Sequence, residues 1–415
     1  MRRKYIIPLV LVISLFFLWA VTSNLLPILI PHLKKACELN VLESSLVDSA
    51  YWIAYFVIAL PAGLVMKKFG YKTAIITGLL LAAVGAFLFY PAAESRSFGF
   101  FLFALFVVAA GMTFLETSAN PFITVLGDPE TSSQRLNFAQ AFNGMGAFIA
   151  SMFISKAIIG NSIKTDEQVT ALNSTEKYDY YESLFHGLKL PYILIGVVLV
   201  VVAILFVITK FPPKEQTVSV KGEKSGKLSL FKHPHLVGGI VAQFFYVGAQ
   251  VCVSSFFILY ARNIVGISEY EATTYLGFLL LGFMLGRYAG TFIMKYVAPQ
   301  KLLALYAIVC IILSAYIVLV GGKGALWAFI GVEFFMSIMY PTIFSLAIKN
   351  MNEKTAIASS YMVMAIVGGA LFPPLLGYVS DLTGSIRWAY IIPLICFIPV
   401  WYFGWKGYRQ KTSDG

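Results

Sequence analysis

Twelve apolar stretches, each long enough for a helix to cross a bilayer, occupy nearly the whole chain. They run roughly over residues 5–30, 43–66, 72–93, 98–126, 137–160, 188–210, 235–261, 270–294, 300–321, 325–348, 355–379 and 386–405. A span takes about 20 mostly apolar residues. With no water in the hydrocarbon, each span must close its own backbone hydrogen bonds, and at these lengths helices do so rather than strands. Charged residues make up 12% of the chain, against about 25% in soluble domains, which leaves no room for a sizeable soluble domain. The expectation is an all-α membrane protein of 12 transmembrane helices embedded in the lipid bilayer. The first stretch starts basic (Arg2, Arg3, Lys4) but continues too far, and without a small-x-small site, for a cleaved signal peptide.

The net charge of +11 follows topology. Most Lys and Arg fall on one side if the N-terminus is placed there: the start, the loop Lys67, Lys68 and Lys72, the stretch with Lys210, Lys214, Lys221, Lys224, Lys227 and Lys232, and the tail Lys406, Arg409 and Lys411. The positive-inside rule then puts both termini in the cytoplasm of a bacterial inner-membrane protein. This distribution speaks against nucleic-acid binding. The four cysteines (Cys37, Cys252, Cys310, Cys396) are scattered, and neither a disulfide framework nor a metal site is indicated.

A basic Pro, Gly, Ser and Lys stretch at 211–235 falls between the sixth and seventh spans. It divides the chain into an N-terminal six-helix bundle (1–210), a cytoplasmic linker (211–234) and a C-terminal six-helix bundle (235–415). The halves echo each other in order. PAGLVMKKFGYK (61–72) matches YAGTFIMKYVAPQK (288–301), ETSANPFITVL (116–126) matches MSIMYPTIFSL (336–346), and NGMGAF (143–148) matches VGGALF (367–372), at offsets of 220 to 227 residues. Two parallel six-helix repeats about an axis along the membrane normal are the architecture of the major facilitator fold, with a solute site at midplane between the halves.

Glu116 is the residue with the sharpest functional meaning. It lies inside the fourth apolar stretch, where a charge costs roughly 2.5 to 3.5 kcal/mol or more, so such acids face cavities and do chemistry. A carboxyl at that depth can carry a proton; the bland alternative is a structural pair with Arg287, the basic residue inside the eighth span. Asn120 shares the Glu116 helix face, and Pro121 frees backbone groups beside it. In the fifth span, Gln140 and Asn143 offer amide donors and acceptors suited to sugar hydroxyls, with Gly144 and Gly146 permitting close helix approach. Gln243, Tyr246 and Gln250 form a polar stripe on the seventh span, read equally as sugar contacts or helix–helix bonds. Tyr340, before Pro341, is a candidate sugar-stacking ring or a core aromatic. Asn24 interrupts the first span, followed by Pro27 and Pro31. Trp19 and Trp52 suit a cavity or an interfacial belt. Glu333 is a candidate second acid, a partner for Arg287, or a residue nearer the outer end. No phosphate-binding loop, metal-spaced His cluster or catalytic triad appears, so the chain is not read as an enzyme and needs no cofactor beyond a coupling proton.

The runs SLFFLWAVTSN (14–24), ALPAGLVMKKFGYKTAIITGL (59–79), LETSANPFITVLG (115–127), RLNFAQAFNGMGAFIA (135–150), AQFFYVGAQ (242–250) and MYPTIFSLAIKN (339–350) together resemble the fucose–proton symporter and glucose/galactose permease family of the major facilitator superfamily, across essentially the whole chain. The resemblance implies that Glu116 is the proton-carrying acid of the fourth helix, that Gln140 and Asn143 are sugar-contacting amides, and that Tyr340 is a cavity tyrosine. One departure stands out. Where the family carries an acid after the Asn-Leu pair of the first helix, this chain reads Asn24, Leu25, Leu26, Pro27, leaving changed substrate, weakened coupling or a substitute acid such as Glu333 as readings. The expected function is import of a neutral monosaccharide with a proton, by a monomer using alternating access. The rivals are a sugar uniporter, a proton-driven exporter of sugars or drugs, and a non-transporting sugar sensor.

Overall fold

The computed structural model describes residues 6–24, 41–95, 97–150, 172–211, 230 and 232–410; Cys37, Pro27 and most of the predicted linker lie outside them. The described segments are almost wholly helical. The principal helices are α1 (Ile6–Asn24), α2 (Val41–Ser95), α3 (Phe98–Val125), α4 (Ser132–Ile149), α5 (Ser174–Ile208), α6 (Pro234–Ser255), α7 (Glu269–Ile293), α8 (Pro299–Leu319), α9 (Gly322–Met336), α10 (Met339–Ala347), α11 (Thr355–Met364), α12 (Gly368–Thr383) and α13 (Ile391–Tyr402). Each of the twelve apolar stretches carries helix. The α2 segment holds two spans broken at Gly70 (φ 83°, ψ 170°). The tenth span is α9 and α10 in series, and the eleventh is α11 and α12. Among the described residues, nine helices are long and apolar enough to cross a membrane, and the shorter Ile7–Ser23 adds the first span. This is a multi-pass membrane protein.

One boundary differs from the sequence reading. The polar run before the sixth span is helical from Ser174, not from about 188. Asn173 caps that helix, accepting from the Glu176 N–H at 2.8 Å while the Glu176 side chain accepts from the Asn173 N–H. This reciprocal box satisfies orphan donors at a helix start, so the helix begins in polar sequence. Its apolar half presents Leu190, Leu194, Val197, Val201, Ile204 and Ile208, all exposed, at the three- and four-residue spacing of one helix face. That face is turned outward, away from the bundle.

Several cations cap helix ends. Lys72 donates to the Val207 and Thr209 carbonyls at 2.9 and 3.0 Å. Arg135 donates to the Thr124 carbonyl at 2.7 Å, and Arg387 to the Val318 carbonyl at 2.7 Å. Each sits where the last carbonyls of a helix lack donors and the dipole favours positive charge.

Helices α3 and α10 form the centre. Every residue from Val108 to Thr124 is buried, as is every residue from Met336 to Ile348. Within the first half, α2 packs on α3 and α5, and α1 on α4; within the second, α6 packs on α12 and α13, α7 on α9, and α8 on α9 and α13. Across the halves, α4 lies on α7 and α10, and α2 and α3 lie on α11.

The α7 crossing depends on a missing side chain. A Cβ on Gly286 would stand 2.1 Å from the Phe334 carbonyl oxygen and 2.6 Å from Ser337 Oγ. Gly286→Val should therefore force α7 off the tenth span. Overpacking of this kind costs about 1–3 kcal/mol, more where backbone is struck. A melting temperature of the purified protein equal to wild type would refute that. Of the two α4 glycines, only Gly146 is needed for close approach: its Cβ would meet the Phe17 carbonyl at 2.6 Å, whereas one on Gly144 finds ordinary contacts.

Candidate functional site

A cavity of about 360 Å³ lies between the halves, lined among others by Trp19, Tyr51, Trp52, Glu116, Gln140, Asn143, Gln250, Ser254, Arg287 and Tyr340. One of its walls follows from a local feature of sequence. In the tenth span, Pro341 has no N–H, so the Ser337 carbonyl four residues earlier has no helical donor from it. Arg287 Nε fills that place at 2.8 Å. The helix gap at Ser337 and Ile338 thus anchors a guanidinium that is 4% exposed. From there Nη1 reaches across to the other half, donating to the Gln140 carbonyl at 2.6 Å, with Gln140 Oε1 at 3.2 Å and Asn143 Oδ1 at 3.3 Å. The guanidinium also lies over the Phe283 ring, 4.5 Å from its centroid.

Glu116 does not pair with Arg287: among the described residues no ion pair joins them. Its carboxyl, buried at 3% exposure, accepts instead from the Tyr340 hydroxyl, a contact between the two halves. The Tyr55 hydroxyl also stands beside the carboxyl, with Tyr51 donating to Ser23 Oγ at 3.1 Å and meeting the Tyr55 hydroxyl at 3.2 Å. The Tyr340 ring stacks on Phe344 at 6.2 Å and tilts against Tyr246 at 6.4 Å.

Of the residues singled out in the sequence, Glu116, Gln140, Asn143, Gln250 and Tyr340 share this one cavity, as do Trp19 and Trp52. Asn120 stands behind the wall, accepting from Gln140 Nε2 at 3.0 Å. Gln243 and Tyr246 are fully buried and off the cavity lining. Among the described residues both amide atoms of Gln243 lack a partner, and the Tyr246 hydroxyl, beside Arg287, meets none at hydrogen-bonding geometry. Glu333 is also behind the wall, at 3% exposure, and accepts from Ser254 Oγ at 2.8 Å. Asn24 closes α1, and its side chain lies outside the described set. Sequence reasoning did not pick out Ser23, Tyr51, Tyr55 and Ser254. The i, i+4 tyrosines on one face of α2 were the available signal.

The cavity reaches toward the ends of α1 and α6 that carry Ser23 and Ser255. Toward the other end it is shut by bonds between the halves: Asn137 Nδ2 to Thr342 Oγ1 at 3.0 Å, Ser345 Oγ to Ser133 Oγ at 2.7 Å, and Gln134 Nε2 to the Thr291 carbonyl at 3.3 Å. Among the described residues, no cluster of His, Cys, Asp and Glu could hold a metal ion.

The profile of the Major Facilitator Superfamily matches residues 11–373. The L-fucose-proton symporter of Escherichia coli (strain K12) is 42% identical over 417 residues, covering 99% of this chain and 95% of that protein. A glucose/galactose transporter of Brucella abortus biovar 1 (strain 9-941) is 38% identical over 412 residues, covering 99% and 96%. The crystal structure of the transporter FucP in the outward conformation matches with a TM-score of 0.91 at 40% identity, covering 98% of this chain and 99% of that one. The chain belongs to the major facilitator superfamily, whose members are membrane transporters and not enzymes.

Proposed function

We propose that this protein imports a neutral monosaccharide together with a proton by alternating access, acting as a monomer in a bacterial inner membrane with both termini cytoplasmic. The substrate is a hexose or 6-deoxyhexose such as L-fucose, D-glucose or D-galactose. The observation that carries this reading is the Glu116–Tyr340 contact at a midplane cavity facing Gln140, Asn143 and Arg287. A cavity of this volume falls within the range of about 300–1,000 Å³ typical of small-molecule sites. It joins a carboxyl able to bind a proton with amides able to bond hydroxyls. The relatives named for fucose–proton symport and for glucose and galactose transport support the substrate class.

In the proposed topology the shut end is cytoplasmic, so the structure represents an outward-facing form. Sugar enters past Trp19 and Trp52 and meets Gln140, Asn143 and Gln250. A proton reaches Glu116 along the hydroxyls of Ser23, Tyr51 and Tyr55. Protonation removes the buried charge, and a neutral, loaded site is the one suited to reorient through low dielectric. Breaking the Tyr340 bond and the polar seam between α4 and α10 would open the cytoplasmic side. Gln243 and Tyr246, buried without partners among the described residues, suit the wall that such opening exposes.

Purified protein in proteoliposomes tests this directly. An inward pH gradient should drive uphill uptake of at least one of labelled L-fucose, D-glucose and D-galactose, abolished by a protonophore. Uptake that only equilibrates would favour a uniporter, and gradient-driven extrusion an exporter.

A further inference from the structure

Each half of the molecule places one buried acid near the cavity. Glu116 stands five residues before Pro121 in the fourth span, and Glu333 eight residues before Pro341 in the tenth. Under the internal repeat, these positions differ by three residues, close to one helical turn. Glu333 is as deeply buried as Glu116, both at 3% exposure, and among the described residues no ion pair joins it. Among the described residues the Arg287 guanidinium donates to Ser337, Gln140 and Asn143. The hydrogen-bonding partner of Glu333 is Ser254, and Ser254 lines the cavity.

The Ser254 hydroxyl has a geometry that serves both forms of the acid. Its oxygen lies 2.8 Å from Glu333 Oε1 and 3.2 Å from the Gln250 carbonyl. A hydroxyl donates one proton and accepts through its lone pairs. With Glu333 ionised, Ser254 donates to the carboxylate. With Glu333 protonated, the carboxyl donates to Ser254, and Ser254 turns its proton to the Gln250 carbonyl. In both states Oε1 and the Ser254 hydroxyl stay bonded to each other, and the switch needs only a rotation of the hydroxyl. A purely structural acid would need one arrangement; this site is built for two. The other ionisable groups that face it are Arg287 from α7, Tyr246 from α6, Cys310 from α8 and Tyr390 beside α13. None of them is a carboxylate.

We propose that Glu333 is a second proton-exchange group of the transport site, reached from the central cavity through Ser254, so that two protons accompany each sugar. The step is a simple transfer: a proton from cavity water reaches Ser254, whose own proton passes to the carboxylate, and the reverse sequence returns it. This inference rests on the proton-coupled reading above.

The test is the limiting accumulation ratio in proteoliposomes under a one-unit inward pH gradient, with the potential clamped at zero. The sugars are labelled L-fucose, D-glucose and D-galactose, supplied together. Each coupled proton contributes about tenfold per pH unit, since one unit corresponds to 1.36 kcal/mol. Wild type should approach about a hundredfold, Glu333→Gln about tenfold, and the double change with Glu116→Gln no accumulation. A wild-type ratio near tenfold that Glu333→Gln leaves unchanged overturns the proposal. A wild-type ratio of one would instead sink proton coupling itself, and the proposal with it. If Glu333→Gln does not reach the membrane, Ser254→Ala keeps the acid and removes its relay. Infrared difference spectra on adding the same sugars should show a protonated-carboxyl band that shifts in Ser254→Ala; a band identical to wild type overturns the proposal.

Discussion

Glu116→Gln should lower sugar accumulation by about tenfold for each unit of imposed pH gradient, the loss of one coupled proton. The substitution is nearly isosteric, and its amide oxygen can still accept from the Tyr340 hydroxyl that now holds Glu116. What it cannot do is bind and release a proton. The sugar amides Gln140 and Asn143 lie on a different helix, α4, and keep their own partners. Exchange of labelled for unlabelled sugar across the membrane should therefore persist while uphill accumulation falls by that factor. Undiminished accumulation by Glu116→Gln would place the coupling elsewhere.

The second large effect concerns Arg287. Its fork joins three chain segments: Nε holds the Ser337 carbonyl freed by Pro341, while Nη1 holds Gln140 and touches Asn143 on the opposite half. Arg287→Lys keeps the charge, but one ammonium on a flexible stem cannot reproduce the planar fork. Hydrogen bonds to charged groups contribute about 1.5–3 kcal/mol each. Losing two should weaken sugar binding by about a hundredfold or more. Quenching of Trp19 and Trp52, both on the cavity, reports that affinity. An unchanged affinity would show that the amides keep their places without the guanidinium.

How legible this was depends on the kind of force involved. Spans came from runs of apolar residues, because the bilayer imposes a length that few other environments demand. The helical start at Ser174 was missed because a capping box, not hydropathy, sets it. At the site, Glu116, Gln140 and Asn143 were readable because polar groups at bilayer depth need a reason. Their mutual arrangement was not: Glu116 and Tyr340 are 224 residues apart, and no local pattern states which hydroxyl meets which acid. Spacing on α6 placed Gln243, Tyr246 and Gln250 on one stripe, yet only Gln250 reaches the cavity. A helical face is read from periodicity, whereas depth along the axis depends on what the neighbouring half covers. Arg287 was weighed as a counter-ion. Its bonds to carbonyls and amides follow from a proline 54 residues away in the chain.

The seam that shuts one end of the cavity is closed by hydroxyls and amides: Ser133 with Ser345, Asn137 with Thr342, Gln134 with a backbone carbonyl. Such neutral contacts contribute about 1 kcal/mol apiece, so the latch is worth only a few kcal/mol. A single passenger, or one hydrogen ion arriving on an acid, carries enough free energy to tip a balance that fine. Weak fastening of this kind lets the gate open without either posture becoming a trap.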